Sequence, residues 1–176
     1  AVAATCDAIA YRASSVVGND MPVKLIDQVR SVNSGTKLST YLRLLSQALP
    51  KPLVMFIDKI DALVGDSLVS VLRQIRSGYD DRSSSFPHSI VLCGVRDVRD
   101  YRIVLSNQDI ITGGSAFNIK AVSMRLGNFS LDEIRQLYAM HTNDTGQVFE
   151  EECFPLIWEA TEGQPWLVNA LAHEVT

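Results

Sequence analysis

A small α/β domain followed by a helical tail is the fold class that these 176 residues predict. Three observations lead there. Leu53–Ile57 (LVMFI) and Ser89–Cys93 (SIVLC) are continuous apolar runs of strand length, the pattern of strands buried on both faces of a parallel sheet. Stretches with apolar residues at helical spacing flank them. After residue 129 only helical signals remain, opened by the capping box Ser130-Leu-Asp-Glu133.

Taken in order, residues 1–17 are Ala-rich with few breakers and predict a helix. Gly18–Pro22 is a loop, Val23–Val32 a short helix, and Asn33–Thr36 another loop. Leu38, Tyr41, Leu42, Leu45, Ala48 and Leu49 mark one amphipathic helix, which Pro50-Lys-Pro52 ends. The first strand follows, then a helix over 66–77 carrying Leu68, Val71, Leu72 and Ile75. Arg82–Pro87 is a loop before the second strand, and Gly94–Arg102 leaves that strand as a turn or short helix. Residues 105–118 are polar and Gly-rich and read as a long loop. Lys120–Leu126 alternates as a third strand should. Leu131, Ile134, Leu137 and Tyr138 form the stripe of the next helix, and helices over about 149–161 and 165–175 complete the tail, with Pro165 just inside the last one. The division expected is an α/β domain over 1–128 and a helical segment over 129–176.

Hydrophobic residues make up 47% and charged residues 20%, enough for a substantial core. The formal net charge is −4 with no block of like charge, which disfavours nucleic acid as a partner. Three widely spaced cysteines, Cys6, Cys93 and Cys153, with no Cys-x-x-Cys, point to a reducing compartment, so a cytoplasmic location is expected. No apolar run approaches the length of a membrane span, and no membrane partner is expected. The chain opens at Ala1 without an initiator Met and reads as trimmed or as a piece of something longer.

The chemistry centres on Pro52–Leu63, PLVMFIDKIDAL. Asp58 falls at the C-terminal end of a strand, where parallel sheets bind ligands. In P-loop nucleotidases an acidic residue there orients Mg²⁺ around the β- and γ-phosphates. Many such enzymes have a second carboxylate next to it to polarise the attacking water. Here that position is Lys59, whose ammonium cannot do so. The phosphate cradle, Gly-x-x-x-x-Gly-Lys-[Ser/Thr], is also missing: the 176 residues contain no Gly-Lys dipeptide, and Ser34-Gly-Thr-Lys37 has the wrong order and no preceding strand.

With PLVMFIDKIDAL, the stretches DSLVSVLRQIRSGYDDR, FPHSIVLCGVRDVRDYR, FNIKAVSMRLGNFS, YAMHTNDTGQVF and EGQPWLVNALAHEV make a set. From about residue 38 onward the chain resembles the bacterial AAA-like ATP-binding proteins of the STAND and archaeal-ATPase group of P-loop NTPases. The resemblance implies an ASCE-type three-layer sandwich, here partial, with about three parallel strands and the start of a helical lid. It implies that Asp58 is the Walker B magnesium ligand and that Lys59 replaces the usual glutamate. Arg96 would fall where relatives sense the γ-phosphate. Gly163-Gln-Pro165 would match the Gly-x-Pro motif that abuts adenine. It further implies that the Walker A segment lies upstream of Ala1. ATP and Mg²⁺ belong to the complete family domain; none is expected for the isolated chain.

Each position also has a plainer reading. Asp58 can cap the turn after its strand or pair with a cation. Arg96, Arg99 and Arg102, interleaved with Asp97 and Asp100, can form a solvated ion-pair face. Gly163–Pro165 starts a helix in either case. Trp158 and Trp166 are expected in the core, and His88, His141 and His173 carry no ligand role. In the family's sheet the Walker A strand lies between SIVLC and KAVSMRL, so its loss opens a gap that residues 120–126 or a second copy would fill. The function expected is therefore a degenerate ATPase-like domain without hydrolytic activity of its own, an interaction or oligomerisation module, with a homodimer favoured. The alternative is a fragment of an active STAND-type ATPase whose Walker A lies upstream or on a partner chain.

Overall fold

The computed structural model describes residues 2–119 and 122–175, without the side chains of Arg99 and Ser115. The chain divides into two units, Ala1–Ser123 and Met124–Thr176.

The first unit opens with three helices, α1 (Val2–Val17), α2 (Met21–Val29) and α3 (Lys37–Ala48), which pack on one another. Tyr41, fully buried on α3, donates its hydroxyl to the Pro22 carbonyl at 3.0 Å and so ties α3 to the start of α2. Burial pushes the Tyr41 phenol up to about 12 and the Cys6 thiol, on α1, up to about 11. The start of α3 has no cap from its own Thr36. Gln74 of α4 (Gly65–Ser77) takes that role from across the core. Its Oε1 accepts from the backbone N–H groups of Leu38 and Ser39 at 2.7 and 3.3 Å, and its Nε2 donates to the Ser34 carbonyl and the Ser70 hydroxyl. Gln74, Leu38 and Ser39 are buried, so Gln74 satisfies helix-end donors that water does not reach.

Strands β1 (Val54–Ile57) and β2 (Ser89–Leu92) pair in parallel, with Val54 beside Ser89 and Ile57 beside Leu92. Helix α4 forms the connection between them, as parallel pairing requires. One face of this sheet, Met55, Ile57, Ile90 and Leu92, packs on the core that α3 and α4 supply. The other face is open: Val54 is 50% exposed and Phe56 73%. The expectation of strands buried on both faces is thus corrected. An apolar run fixes the strand but does not say that both of its sides are covered.

Two further differences follow β2. The expected loop over 105–118 contains structure. Strands β3 (Arg102–Val104) and β4 (Ile110–Thr112) form an antiparallel hairpin, and a single turn, α5 (Gly113–Ala116), succeeds it. Asn107 holds the hairpin loop by accepting from the Asp109 N–H and donating to its carboxylate. The expected third parallel strand, Lys120–Leu126, is not found where it can be followed. Residues 122–126 are irregular, and Lys120 and Ala121 lie outside the described residues. Among the described residues the parallel sheet has two strands, not about three.

The second unit holds α6 (Leu131–Thr145), α7 (Cys153–Thr161) and α8 (Pro165–Val175). The capping box at its start is formed in both directions: the Ser130 hydroxyl accepts from the Glu133 N–H, and Glu133 Oε2 accepts from the Ser130 N–H at 2.7 Å. Gly146, in the left-handed conformation, closes α6. Ile134, Tyr138, Phe154, Ile157 and Val168 make the core, where the Tyr138 ring meets Phe149 and Phe154 edge-on. The expectation that both tryptophans are core residues is corrected: Trp166 is 70% exposed and Trp158 39%.

Candidate functional site

The C-terminal end of the β1–β2 sheet brings together most of the residues that the sequence singles out. Asp58 and Lys59 leave β1; Gly94, Val95 and Arg96 leave β2 beside them. The ladder runs on past the strands, with the Cys93 N–H donating to the Ile57 carbonyl at 2.9 Å and the Ile60 N–H to the Cys93 carbonyl at 3.0 Å. Between those two bonds the chain must bulge outward, and Asp58 and Lys59 are the bulge.

Lys59 adopts the left-handed conformation, φ 53° and ψ 45°, which few non-glycine residues adopt. The reason is local. The reversal at Lys59 drops Ile60 into the core, where it is 1% exposed, and starts the 3₁₀ turn Ile60–Ala62. Asp58 Oδ1 accepts the Lys59 backbone N–H at 2.8 Å, so the carboxylate steadies the same turn. The plainer reading of Asp58 as a turn cap is therefore realised. Its side chain is nonetheless exposed at the strand end, as are those of Lys59 and Arg96.

Asp61 is a residue that sequence reasoning missed here. A Cβ placed on Gly94 would meet Asp61 Oδ1 at 3.0 Å, the Ile60 Cγ2 methyl at 3.0 Å and the Tyr101 hydroxyl at 3.1 Å. Glycine at 94 thus lets a carboxylate and a phenol converge on the exit of β2. The Tyr101 hydroxyl is buried there and makes no hydrogen bond among the described residues. The signal was in the sequence as the second aspartate of Asp58-Lys-Ile-Asp61, but only the turn at Lys59 shows that this carboxylate points toward the neighbouring strand's exit. Farther along the arginine series, Arg102 is exposed in β3, while Asp97 accepts from the Ser123 hydroxyl.

Gly163 and Pro165 belong to the second unit. Gly163 has φ 72°, and a Cβ on it would fall 2.0 Å from the Phe129 carbonyl oxygen and 2.8 Å from the Trp158 ring. Its carbonyl accepts the Phe129 N–H at 2.8 Å. Close backbone approach between the α7–α8 turn and the segment before α6 accounts for glycine here without any ligand. Pro165 is the first residue of α8.

Each unit also carries a concavity. One of about 340 Å³ in the first unit is lined by Gly35, Asp66, Ser70, Arg73 and Leu105. Its Asp66 carboxylate is engaged by the Ser106 N–H and hydroxyl. The other, about 190 Å³ in the second unit, brings His141 and His173 to one wall with Tyr138 and Phe149. No group of three or more His, Cys, Asp or Glu side chains that could hold a metal ion occurs among the described residues, and no described helix is long and apolar enough to cross a membrane. Compared with family models, curated proteins and solved structures, the chain matches none of them.

Proposed function

We propose that this chain is a degenerate P-loop ATPase-like domain, of the AAA-like and STAND kind, that serves as an interaction or oligomerisation module and does not hydrolyse ATP by itself. The observation that carries the reading is the end of β1. Asp58 is exposed where a magnesium ligand would be needed, but the next side chain is the ammonium of Lys59, and that residue is committed to a left-handed turn that seats Ile60 in the core. Water activation has no carboxylate at that position, and no Gly-Lys-[Ser/Thr] cradle occurs in the sequence to hold phosphates. What the unit does offer is an apolar sheet face open to a partner.

The second reading is a piece of an active ATPase that is completed by a Walker A segment from elsewhere. It is favoured by the exposed placement of Asp58 and Arg96 at adjacent strand exits, where open α/β sheets take their ligands. One assay separates the two. The module reading expects no magnesium-dependent ATP turnover; turnover that disappears in Asp58→Ala would overturn it.

A further inference from the structure

We propose that the concavity along α4 in the first unit binds a short zwitterionic peptide, held by its two charged ends.

The site is built on one stripe of α4. Asp66, Val69, Ser70 and Arg73 are spaced i, i+3, i+4 and i+7, so they share a helix face. They line a concavity of about 340 Å³ together with Gly35, from the loop before α3, and Leu105, from the loop after β3. That volume falls in the range of small-ligand pockets. Asp66 opens the stripe and Arg73 ends it, with Val69 and Ser70 between them. The concavity therefore carries opposite charges at its two ends.

Three of its polar groups keep unused hydrogen-bonding capacity. Arg73 is exposed and has no ion-pair or hydrogen-bond partner among the described residues, whereas Arg30, Arg43 and Arg135 are paired with carboxylates. Asp66 is engaged through one oxygen: its Oδ2 accepts from the Ser106 N–H at 3.3 Å and from the Ser106 hydroxyl, while its Oδ1 accepts from no described group. The same contact holds the hairpin loop, and Leu105 with it, at the start of α4. Ser70 accepts from Gln74 Nε2 at 3.0 Å, and its own proton goes to no described group.

This arrangement selects the occupant. A guanidinium takes a carboxylate through two parallel hydrogen bonds, and a carboxylate takes an ammonium. A ligand that satisfies both must span the stripe. Seven residues of helix rise about 10 Å, and roughly three residues of extended chain cover the same length. A single amino acid, with both charges on one carbon, does not reach both ends. A simple anion on Arg73 would leave Asp66 unpaired. In the middle, the Ser70 hydroxyl and the backbone of Gly35 supply the polar partners that peptide amides need, and Val69 and Leu105 supply apolar contact. Asp66 and Arg73 are both exposed, so each end pair contributes modestly and binding is weak.

The test is an amide NMR titration of the full chain with the peptide Ala-Leu-Ala in four forms: free at both ends, N-acetylated, C-amidated, and blocked at both. It would be run on the wild-type chain, on Arg73→Gln and on Asp66→Asn, which keeps an acceptor for Ser106. The free peptide is expected to shift the amides of Gly35, Ser70, Arg73 and Leu105, and blocking either end is expected to weaken binding about fivefold. Arg73→Gln should weaken the free peptide by the same factor and leave the C-amidated form unchanged. Asp66→Asn should do the same for the free peptide and leave the N-acetylated form unchanged. Such matched losses assign each end of the peptide to one side chain, which a general disturbance of the fold would not do. Amides unmoved by the free peptide overturn the proposal. So does a doubly blocked peptide that binds as tightly as the free one, or a variant that weakens all four forms alike.

Discussion

The two faces of the β1–β2 sheet are drawn from alternate residues of the same eight positions, and the chain treats them in opposite ways. Met55, Ile57, Ile90 and Leu92 lie on a core that includes Leu42, Val71 and Leu72, all of them wholly buried. Val54, Phe56 and Val91 face outward. Residue type differs little between the two sides: all eight positions are apolar except Ser89, on the open side. Hydrophobicity places a residue in a strand; whether its side is covered depends on which helices the chain brings over. The difference teaches that the stabilising packing of this sheet is concentrated on one of its sides.

The sharpest way to break that contrast is a pair of substitutions. Leu72→Ala, beneath the covered side, leaves a cavity in a close-packed core and is expected to lower unfolding free energy by about 2–5 kcal/mol in urea titration. Phe56→Ser, on the open side, is expected to change it by no more than about 0.5 kcal/mol at a concentration where the chain is monomeric. Equal costs for the two would mean that the open side is covered in solution within one chain.

Gln74→Ala is the next largest effect. It removes the acceptor for the first N–H groups of α3 inside the core, and a buried donor without a partner costs about 1–3 kcal/mol. Gln74→Glu would keep the acceptor but lose the donation to the Ser34 carbonyl, and a smaller loss from it by thermal melting would assign the effect to the α3 end.

Gly163→Ala tests the second unit. The left-handed φ and the 2.0 Å approach to the Phe129 carbonyl predict a loss above about 1 kcal/mol, read as earlier melting of α6–α8 by hydrogen exchange. Gly94→Ala is the milder comparison, because its neighbours at 3.0–3.1 Å include side-chain ends that can shift.

The smallest effect concerns the capping box. Ser130→Ala is expected to cost about 1 kcal/mol. The Ser130 backbone N–H, and then its hydroxyl, hold the Glu133 carboxyl below the usual glutamate range. A depressed folded-state value contributes stability that is complete above the unfolded-state value and is lost as pH falls through the folded one. Acidification below the ordinary carboxylate range should therefore fray the start of α6 in the parent chain. In Ser130→Ala, which loses the hydroxyl but keeps the backbone N–H, that acid sensitivity should shrink without vanishing, as amide exchange at Glu133 would report.

Much of the fold was legible along the chain. Leu38, Leu42 and Leu45 recur at helical spacing and are buried on α3. LVMFI and SIVLC did become paired strands, and Ser130-x-x-Glu133 did start a helix. The β3–β4 hairpin was not legible: its strands are three residues each, too short to show a period, and its polar loop dominated the reading of 105–118. At the candidate site, Asp58 and Lys59 were found from their place after an apolar run. Asp61 and Tyr101 were not, because their convergence on Gly94 joins residues far apart in sequence.

The sequence by itself determined the longer helices, the two parallel strands and the identity of the side chains at the strand end, because each of these depends on local spacing or on one residue type. Tertiary structure alone decided that one sheet face is covered and the other open, that Gln74 caps a helix thirty-six residues away, and that Gly163 is required by the backbone of Phe129. Those outcomes depend on which surfaces meet. An apolar residue carries the same transfer free energy wherever it stands in the chain, and only the packing of the helices settles which apolar residues leave water.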